Sequence, residues 1–388
     1  MNTLKTEWNE VGVTAELTSF LTATGVDEFH AILHVAPRGE LFAQQEERLQ
    51  EGFRRLMAMP EMSGAKVVFK RYFLSDATNQ RALINDNDNV NDNENVNENH
   101  NENYNSDAAV SYIQQPPLDG SKIALWVYLM RGVTVTSNSA GTIVEHDGCR
   151  HIWTMGMVET EGDSAQQTDR LLTRYEALLN QENATLADNC IRTWFFVRDV
   201  DTQYAGMVKA RRDFFTEKGL TADTHYIAST GIGGSPADTK ALVQLGCYAV
   251  TGFQPQQLRY LYAPTHLNRT SDYGVTFERG TLMKYTDRKH IFISGTASID
   301  NKGQVVHVGD IVKQTHRMWE NVETLLAEGG MTFGDVMQII VYLRDTADYE
   351  IVRRMFEEKF PDTPYVITLA PVCRPTWLIE MECIAVSE

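Results

Sequence analysis

The chain has 388 residues, 43% hydrophobic, 22% charged and 10% aromatic, enough for two or three domains that each bury a core. Its 35 Lys and Arg against 52 Asp and Glu give a net charge of −17, which argues against nucleic acid and an anionic membrane surface as partners. No apolar run approaches the roughly 20 residues of a membrane span, Met1–Val11 has no signal-peptide pattern, and five scattered cysteines without a CxxC read as reduced thiols of a cytoplasmic protein.

From the N-terminus, Phe29–Val35 reads as an apolar strand, Gln44–Met57 as a helix, and Val67–Leu74 as a strand closed by Ser75-Asp76. Between Asn85 and Asn105 every odd position is Asn and the even ones are mostly acidic. Such a tract has no apolar face and cannot offset its ordering entropy, so residues 85–107 are expected to be a disordered loop expansion, inside or just after a second helix. The tract holds seven acids and no Lys or Arg, so −17 less those seven leaves −10 for the rest. Gln115-Pro-Pro-Leu118 and a strand at Ile123–Leu129 close this stretch.

The next stretch has strands at His151–Gly156, Trp194–Asp199 and Leu242–Val250. The last has a strand at His290–Gly295 and a helix at Val308–Gly329, with Val312, Trp319, Val322 and Leu326 on one side. A strand at Val336–Leu343 is closed by Arg344-Asp345, a helix covers Tyr349–Phe360, and Leu378–Val386 is the final strand.

These stretches are copies of one module. Trp194-Phe-Phe-Val-Arg-Asp199 matches Val341-Tyr-Leu-Arg-Asp345, Phe215-Thr-Glu-Lys218 matches Phe356-Glu-Glu-Lys359, and Leu242–Val250 matches Leu378–Val386 position by position. The first stretch is a more diverged third copy. The expected organisation is a module at 1–135 with the acidic insert, a second at 136–252, a linker with cleft elements at 253–284, and a third at 285–388.

Residues two apart on a strand share a face, so Glu380 and Glu382 point to one side. Their counterparts are Gln244 and Gly246 in the second module and Ala124 and Trp126 in the first. Only the third copy has carboxylates there, so a single working site would use Glu380. Apolar neighbours should raise its pKa, as suits a general acid; Glu382 is read as structural. Thr230-Gly-Ile-Gly-Gly234 lacks the strand–GxGxxG–helix context of a dinucleotide site and reads as a turn at a cleft, with amides open to an anion. Cys373 beside Arg374 is a candidate for a lowered thiol pKa, without a nearby His to form a dyad. The histidines show no metal-ligand spacing.

The modules resemble the RidA/YjgF (endoribonuclease L-PSP-like) superfamily. That resemblance implies an α/β fold of three tandem RidA-like, chorismate-mutase-like modules closed as an intramolecular pseudo-trimer. The superfamily's imine deaminases carry an Arg about fifteen positions before the first Glu of the final strand, a position that falls near Tyr365 here. The tail Ala370-Pro-Val-Cys-Arg-Pro-Thr-Trp-Leu-Ile-Glu-Met-Glu382 instead resembles the chorismatase, or pteridine-dependent deoxygenase-like, branch, whose Cys-Arg-Pro turn runs into a strand with a catalytic Glu. Ser294-Gly-Thr-Ala-Ser-Ile299 and Tyr273-Gly-Val-Thr-Phe-Glu-Arg279 resemble two further elements of that branch.

The resemblance implies a cofactor-free, metal-free enzyme that protonates and cleaves the enolpyruvyl ether of chorismate. The products would be pyruvate and 3- or 4-hydroxybenzoate or a dihydroxycyclohexadiene carboxylate. Glu380 is then the proton donor and Tyr273 orients the substrate. Arg279, Arg374 and Arg344 are candidates to hold the carboxylates of a small anionic substrate. Gly295, Thr296, Ala297 and Cys373 line the pocket, with Ala297 and Cys373 influencing whether the product keeps its second hydroxyl. Enamine/imine deamination and non-catalytic binding of a small acid remain as alternatives. A monomeric pseudo-trimer or a higher homo-oligomer is expected.

Overall fold

The computed structural model describes residues 1–84 and 107–388. Apart from Asp107, the acidic tract lies outside the described residues.

The first module contains β1 (Asn2–Trp8), β2 (Val13–Phe20), β3 (Asp27–Val35), α1 (Phe42–Met57), β4 (Ala65–Leu74), the short α2 (Ala77–Gln80), β5 (Ala109–Gln114) and β6 (Ile123–Arg131). The second contains β7 (Thr134–Asn138), β8 (Gly141–His146), β9 (Cys149–Val158), α3 (Ser164–Gln181), the short α4 (Leu186–Asn189), β10 (Cys190–Val197), α5 (Val200–Glu217), β11 (Ala228–Gly233) and β12 (Val243–Thr251). The third contains β13 (Leu258–Leu261), β14 (Gly280–Lys284), β15 (Lys289–Ala297), α6 (Ile311–Glu328), β16 (Val336–Leu343), α7 (Tyr349–Lys359), β17 (Tyr365–Leu369) and β18 (Ile379–Ser387).

The three modules share one topology. Their six-stranded sheets run β1-β2-β3-β6-β4-β5, β7-β8-β9-β12-β10-β11 and β13-β14-β15-β18-β16-β17. Only the last pair of each, β4–β5, β10–β11 and β16–β17, is parallel. A parallel pair needs a crossover, supplied by α5 in the second module and α7 in the third. In the first module the corresponding segment begins with the short α2 and continues into the undescribed tract.

Local chemistry sets the element ends. The Asp310 carboxylate caps α6 by accepting from the Lys313 amide at 3.0 Å, and Gly330 follows the helix with φ +79°, a conformation that glycine adopts without a Cβ penalty. The eight residues of β16, VMQIIVYL, are all buried, as expected of a strand covered on both faces.

Period-two alternation divides each sheet. Leu125, Val127 and Leu129 of β6 pack with Leu49, Phe53 and Leu56 of α1. The intervening Ala124, Trp126 and Tyr128 face a central core shared with Trp153, Trp194, Tyr248, Phe292 and Ile340 of the other modules. The sheets therefore meet face inward with helices outside. Arg71 is buried at the centre, its guanidinium 4.9–5.4 Å from the ring centroids of Phe69, Trp126, Trp194 and Phe196.

Strand register carries the module equivalences into space. Arg71 pairs with Trp126, Trp194 with Gly246, and Ile340 with Glu382. One step along, Phe73 pairs with Ala124, Phe196 with Gln244, and Tyr342 with Glu380. Backbone hydrogen bonds close all three seams: Gln114 N to Ser235 O at 2.9 Å, Glu278 N to Ile227 O at 3.0 Å, and Leu369 N to Pro116 O at 2.8 Å.

Two readings of the sequence are revised. The expected linker at 253–284 contributes β13 and β14 to the third sheet. Thr230–Gly234 is not a turn: its first four residues lie in β11, paired in parallel with β10. Glycine serves close approach here. A Cβ on Gly233 would lie 2.8 Å from the Pro371 carbonyl oxygen, which accepts from the Gly233 amide at 3.0 Å. The Gly234 amide donates to Val197 O, so neither amide is open to an anion.

Candidate active site

A cavity of about 180 Å³ opens at the seam between the second and third modules. Glu380 of β18 lines it, opposite β11 and α5 of the second module. Arg211, Arg279 and Arg374 bring three guanidiniums to its wall, with Tyr204, Phe277 and Trp377 as aromatic surface. This is a small, partly open, cationic and partly apolar space, suited to a compact cyclic anion.

Glu380 is 5% exposed. Burial, and next the nearby Glu382, push its carboxyl up to about 8, against the opposing pull of Arg192 and Arg279. It is therefore mostly protonated at neutral pH. Gly295 is what lets the carboxyl lie where it does. The register of β15 against β18 shifts between Ile293 and Thr296, and a Cβ on Gly295 would sit 2.1 Å from Glu380 Oε1.

Glu382 points the same way but deeper. Its Oε2 accepts from Arg192 Nη2 at 2.8 Å and Thr230 Oγ1 at 2.5 Å, and its Oε1 from Trp194 Nε1 at 2.9 Å. Arg71 Nη1 lies 3.5 Å from Oε1. This carboxylate belongs to the junction of all three modules and does not line the cavity.

The structure brings six of the anticipated residues together around the cavity: Glu380, Arg279, Gly295, Ala297, Cys373 and Arg374. Arg279 is held by Asn268, donating to its backbone oxygen at 3.2 Å and its Oδ1 at 3.2 Å. Arg374 lies over the Trp377 ring at 4.6 Å and donates to Gly303 O. Thr296 turns away, with its hydroxyl bonded to Ser294 O. Arg344 is also outside the cavity. It donates to Val372 O at 2.6 Å and to Asp201 at 2.5 Å, strapping the loop before Cys373 to the second module. Its counterpart Arg198 grips the loop before β12 in the same manner, bonding Ala241 O and Pro236 O. Tyr273 ends a short 3-10 turn at Thr270–Tyr273; its side chain lies outside the described residues.

The thiol of Cys373 departs from expectation. Burial, and then Glu380, push it up to about 12, outweighing Arg374, so it remains a thiol at neutral pH. No group of three His, Cys, Asp or Glu among the described residues is arranged to hold a metal ion. His290 bonds Glu28 across the junction of the third and first modules at 2.7 Å, and His151 bonds Tyr248 within the second module at 2.7 Å.

Arg211 lines the cavity and was not singled out by the sequence. It sits on the buried face of α5 with Met207 and Phe214, bonds Thr276 and Ser229, and contacts the Phe195 ring face. The signal was present: an arginine at i+4 and i−3 from apolar residues on an amphipathic helix.

Residues 282–387 match the Endoribonuclease L-PSP family model. A RutC family protein of Pyrococcus abyssi is 35% identical over 100 residues, covering 25% of this chain and 79% of that one. The chain belongs to the RidA/YjgF (endoribonuclease L-PSP-like) superfamily. The 3-hydroxybenzoate synthase of Streptomyces hygroscopicus is 27% identical over 263 residues, covering 62% of this chain and 75% of that one. The 3-aminoacrylate deaminase RutC of Acinetobacter baylyi is 33% identical over 98 residues, covering 24% and 77%. A crystal structure of a chorismatase matches in fold with a TM-score of 0.62 at 18% identity, covering 84% of this chain and 96% of the other. Among the described residues no helix is long and apolar enough to cross a membrane.

Proposed function

We propose that the chain is a chorismatase-type enzyme. One observation carries this reading: a buried carboxyl at Glu380, with its pKa pushed up to about 8 by burial, in a cavity lined by Arg211, Arg279 and Arg374. Similarity to a 3-hydroxybenzoate synthase over most of that protein supports the substrate class. The guanidiniums would pair with the two carboxylates of chorismate, and the aromatic side chains would flank its ring.

Glu380 delivers its proton to the methylene carbon of the enolpyruvyl group, forming an oxocarbenium-like centre at the ether carbon. Water attack there gives a hemiketal that collapses to pyruvate and a dihydroxycyclohexadiene carboxylate. Alternatively, rearrangement of the ring expels pyruvate and leaves a hydroxybenzoate, with no net consumption of water. In either route the proton released in the second stage can return to Glu380. Ala297 and Cys373, both on the cavity wall, are the proposed determinants of the route, with Cys373 acting as a thiol. A changed product ratio in Cys373→Val or Ala297→Gly supports that assignment, and an unchanged ratio in both removes it.

Incubation with chorismate should release pyruvate together with an aromatic or dihydroxylated acid, and Glu380→Gln should abolish the release. A wild-type protein that binds chorismate but yields no pyruvate would favour a non-catalytic binding role. The likeness to 3-aminoacrylate deaminase makes ammonia release from an enamine the second reading. Against it, Tyr365 does not line the cavity, and its amide lies against Glu16. The residue at its register on the second module is Ser229, which lines the cavity without charge.

A further inference from the structure

Two carboxyl groups share one face of β18, and their surroundings are unequal. Glu382 receives an indole, a hydroxyl and two guanidiniums, contributed by Arg71 of the first module and by Arg192, Trp194 and Thr230 of the second. No hydrogen bond or ion pair to Glu380 is seen among the described residues. Hydrogen bonds to a carboxylate favour its charged form, and a like charge nearby keeps the second carboxyl neutral. A single residue joins the two: Thr230 Oγ1 donates to Glu382 and accepts from the Gly295 amide at 2.9 Å. Gly295 in turn abuts the Glu380 carboxyl.

We propose that Glu382 is a positioning residue, a carboxylate anchored by both neighbouring modules that leaves the proton of the pair with Glu380. This rests on the reading of Glu380 as the proton donor. Other groups face the pair. Tyr342 lies beside Glu380 across the strand pair. Arg192 and Arg71 flank Glu382. Arg279, Arg211 and Arg374 stand around the cavity with Tyr204 and Cys373. The cations pull both carboxyls toward ionisation. The four donors on Glu382 make the difference between the two, so the asymmetry depends on Glu382 keeping its charge.

Infrared difference titration reads this without substrate. A protonated-carboxyl band should be present in the wild type at pH 7, be lost with a midpoint near 8, and be missing in Glu380→Gln. In Glu382→Gln, which removes the neighbouring charge and retains the shape, the midpoint should fall by at least about one pH unit. The alkaline limb of pyruvate release should move down by the same amount. A purely structural role for Glu382 would lower activity at every pH without moving the limb. An unmoved midpoint in Glu382→Gln overturns the proposal. If that variant does not fold, the wild type and Glu380→Gln still decide: a band with a midpoint near 8 that survives in Glu380→Gln shows that Glu380 does not hold the proton and overturns it. Because the band is read without chorismate, a lack of pyruvate release from the wild type would count against the proposed reaction alone.

Discussion

Two of the three inter-module seams use the same strand registers for opposite chemistry. Between the second and third modules, Ala297 pairs with Glu380, and Arg279 immediately precedes β14. Between the third and first modules, the same registers hold His34 paired with Ala124, and Glu16 in the place of Arg279. There the side chains satisfy one another. His34 lies 3.8 Å from Glu16 and 3.6 Å from Asp119, and Glu16 also pairs with Lys5 at 2.9 Å. The two carboxylates overcome burial and hold His34 charged, with its pKa pushed up to about 10. One seam leaves a cavity with a neutral acid and cations facing inward. The other is an internally neutralised clamp. The scaffold supplies clefts, and a handful of registers decide which of them can work.

Several substitutions would break or sharpen that contrast. The largest effect should come from Glu380→Gln, with pyruvate release falling about 10³-fold because general acid catalysis is lost. Adding Ala124→Glu to that variant should restore nothing, since the new carboxyl would face Glu16 where Arg279 belongs. Gly295→Ala should cost roughly 10²-fold in kcat with the fold retained, because its methyl would occupy the place of Glu380 Oε1; near-wild-type turnover would show that the carboxyl can move at no cost. Arg211→Met should reduce kcat/KM by about 10- to 100-fold, the worth of a charge-assisted hydrogen bond, and chiefly through KM.

The pH dependence comes next. Glu380 must carry its proton to act, so activity is present below its pKa of about 8 and declines as pH rises through it, by about tenfold per further unit. Rates still climbing at pH 9 would remove Glu380 as the acid. The smallest effect belongs to the clamp. The pKa of His34 is raised from 6.5 to about 10 on folding. Its stabilising contribution is therefore complete below the unfolded value and is lost as pH rises through the folded one. His34→Gln should lower stability by on the order of 1 kcal/mol near pH 6, and by less toward pH 10, with pyruvate release unchanged. Thermal unfolding at the two pH values checks it.

Much of this contrast was legible in the chain. Continuous apolar runs such as Val336–Leu343 and Val67–Leu74 announce strands buried on both faces. The matching of Leu242–Val250 with Leu378–Val386 singles out Glu380 as the candidate acid without any structure. β11 was not legible, because Thr230 and Ile232 alternate there with serine and glycine, and Gly233 answers to packing against Pro371 from another module. The outer strands β1, β7 and β13 carry exposed polar residues, so no apolar alternation marks them. Arg344 was misplaced because a strand-end arginine reads alike whether it holds a substrate or a loop carbonyl. Arg211 reaches the cavity from a helix 169 positions before Glu380, a proximity created only by closing the modules on each other.

The most direct test of the one-working-cleft account is equilibrium titration of the Glu380→Gln variant with chorismate, following pyruvate in the same samples. The account predicts one equivalent bound per chain and essentially no pyruvate. Two or three equivalents per chain, or pyruvate released at the wild-type rate, would contradict it.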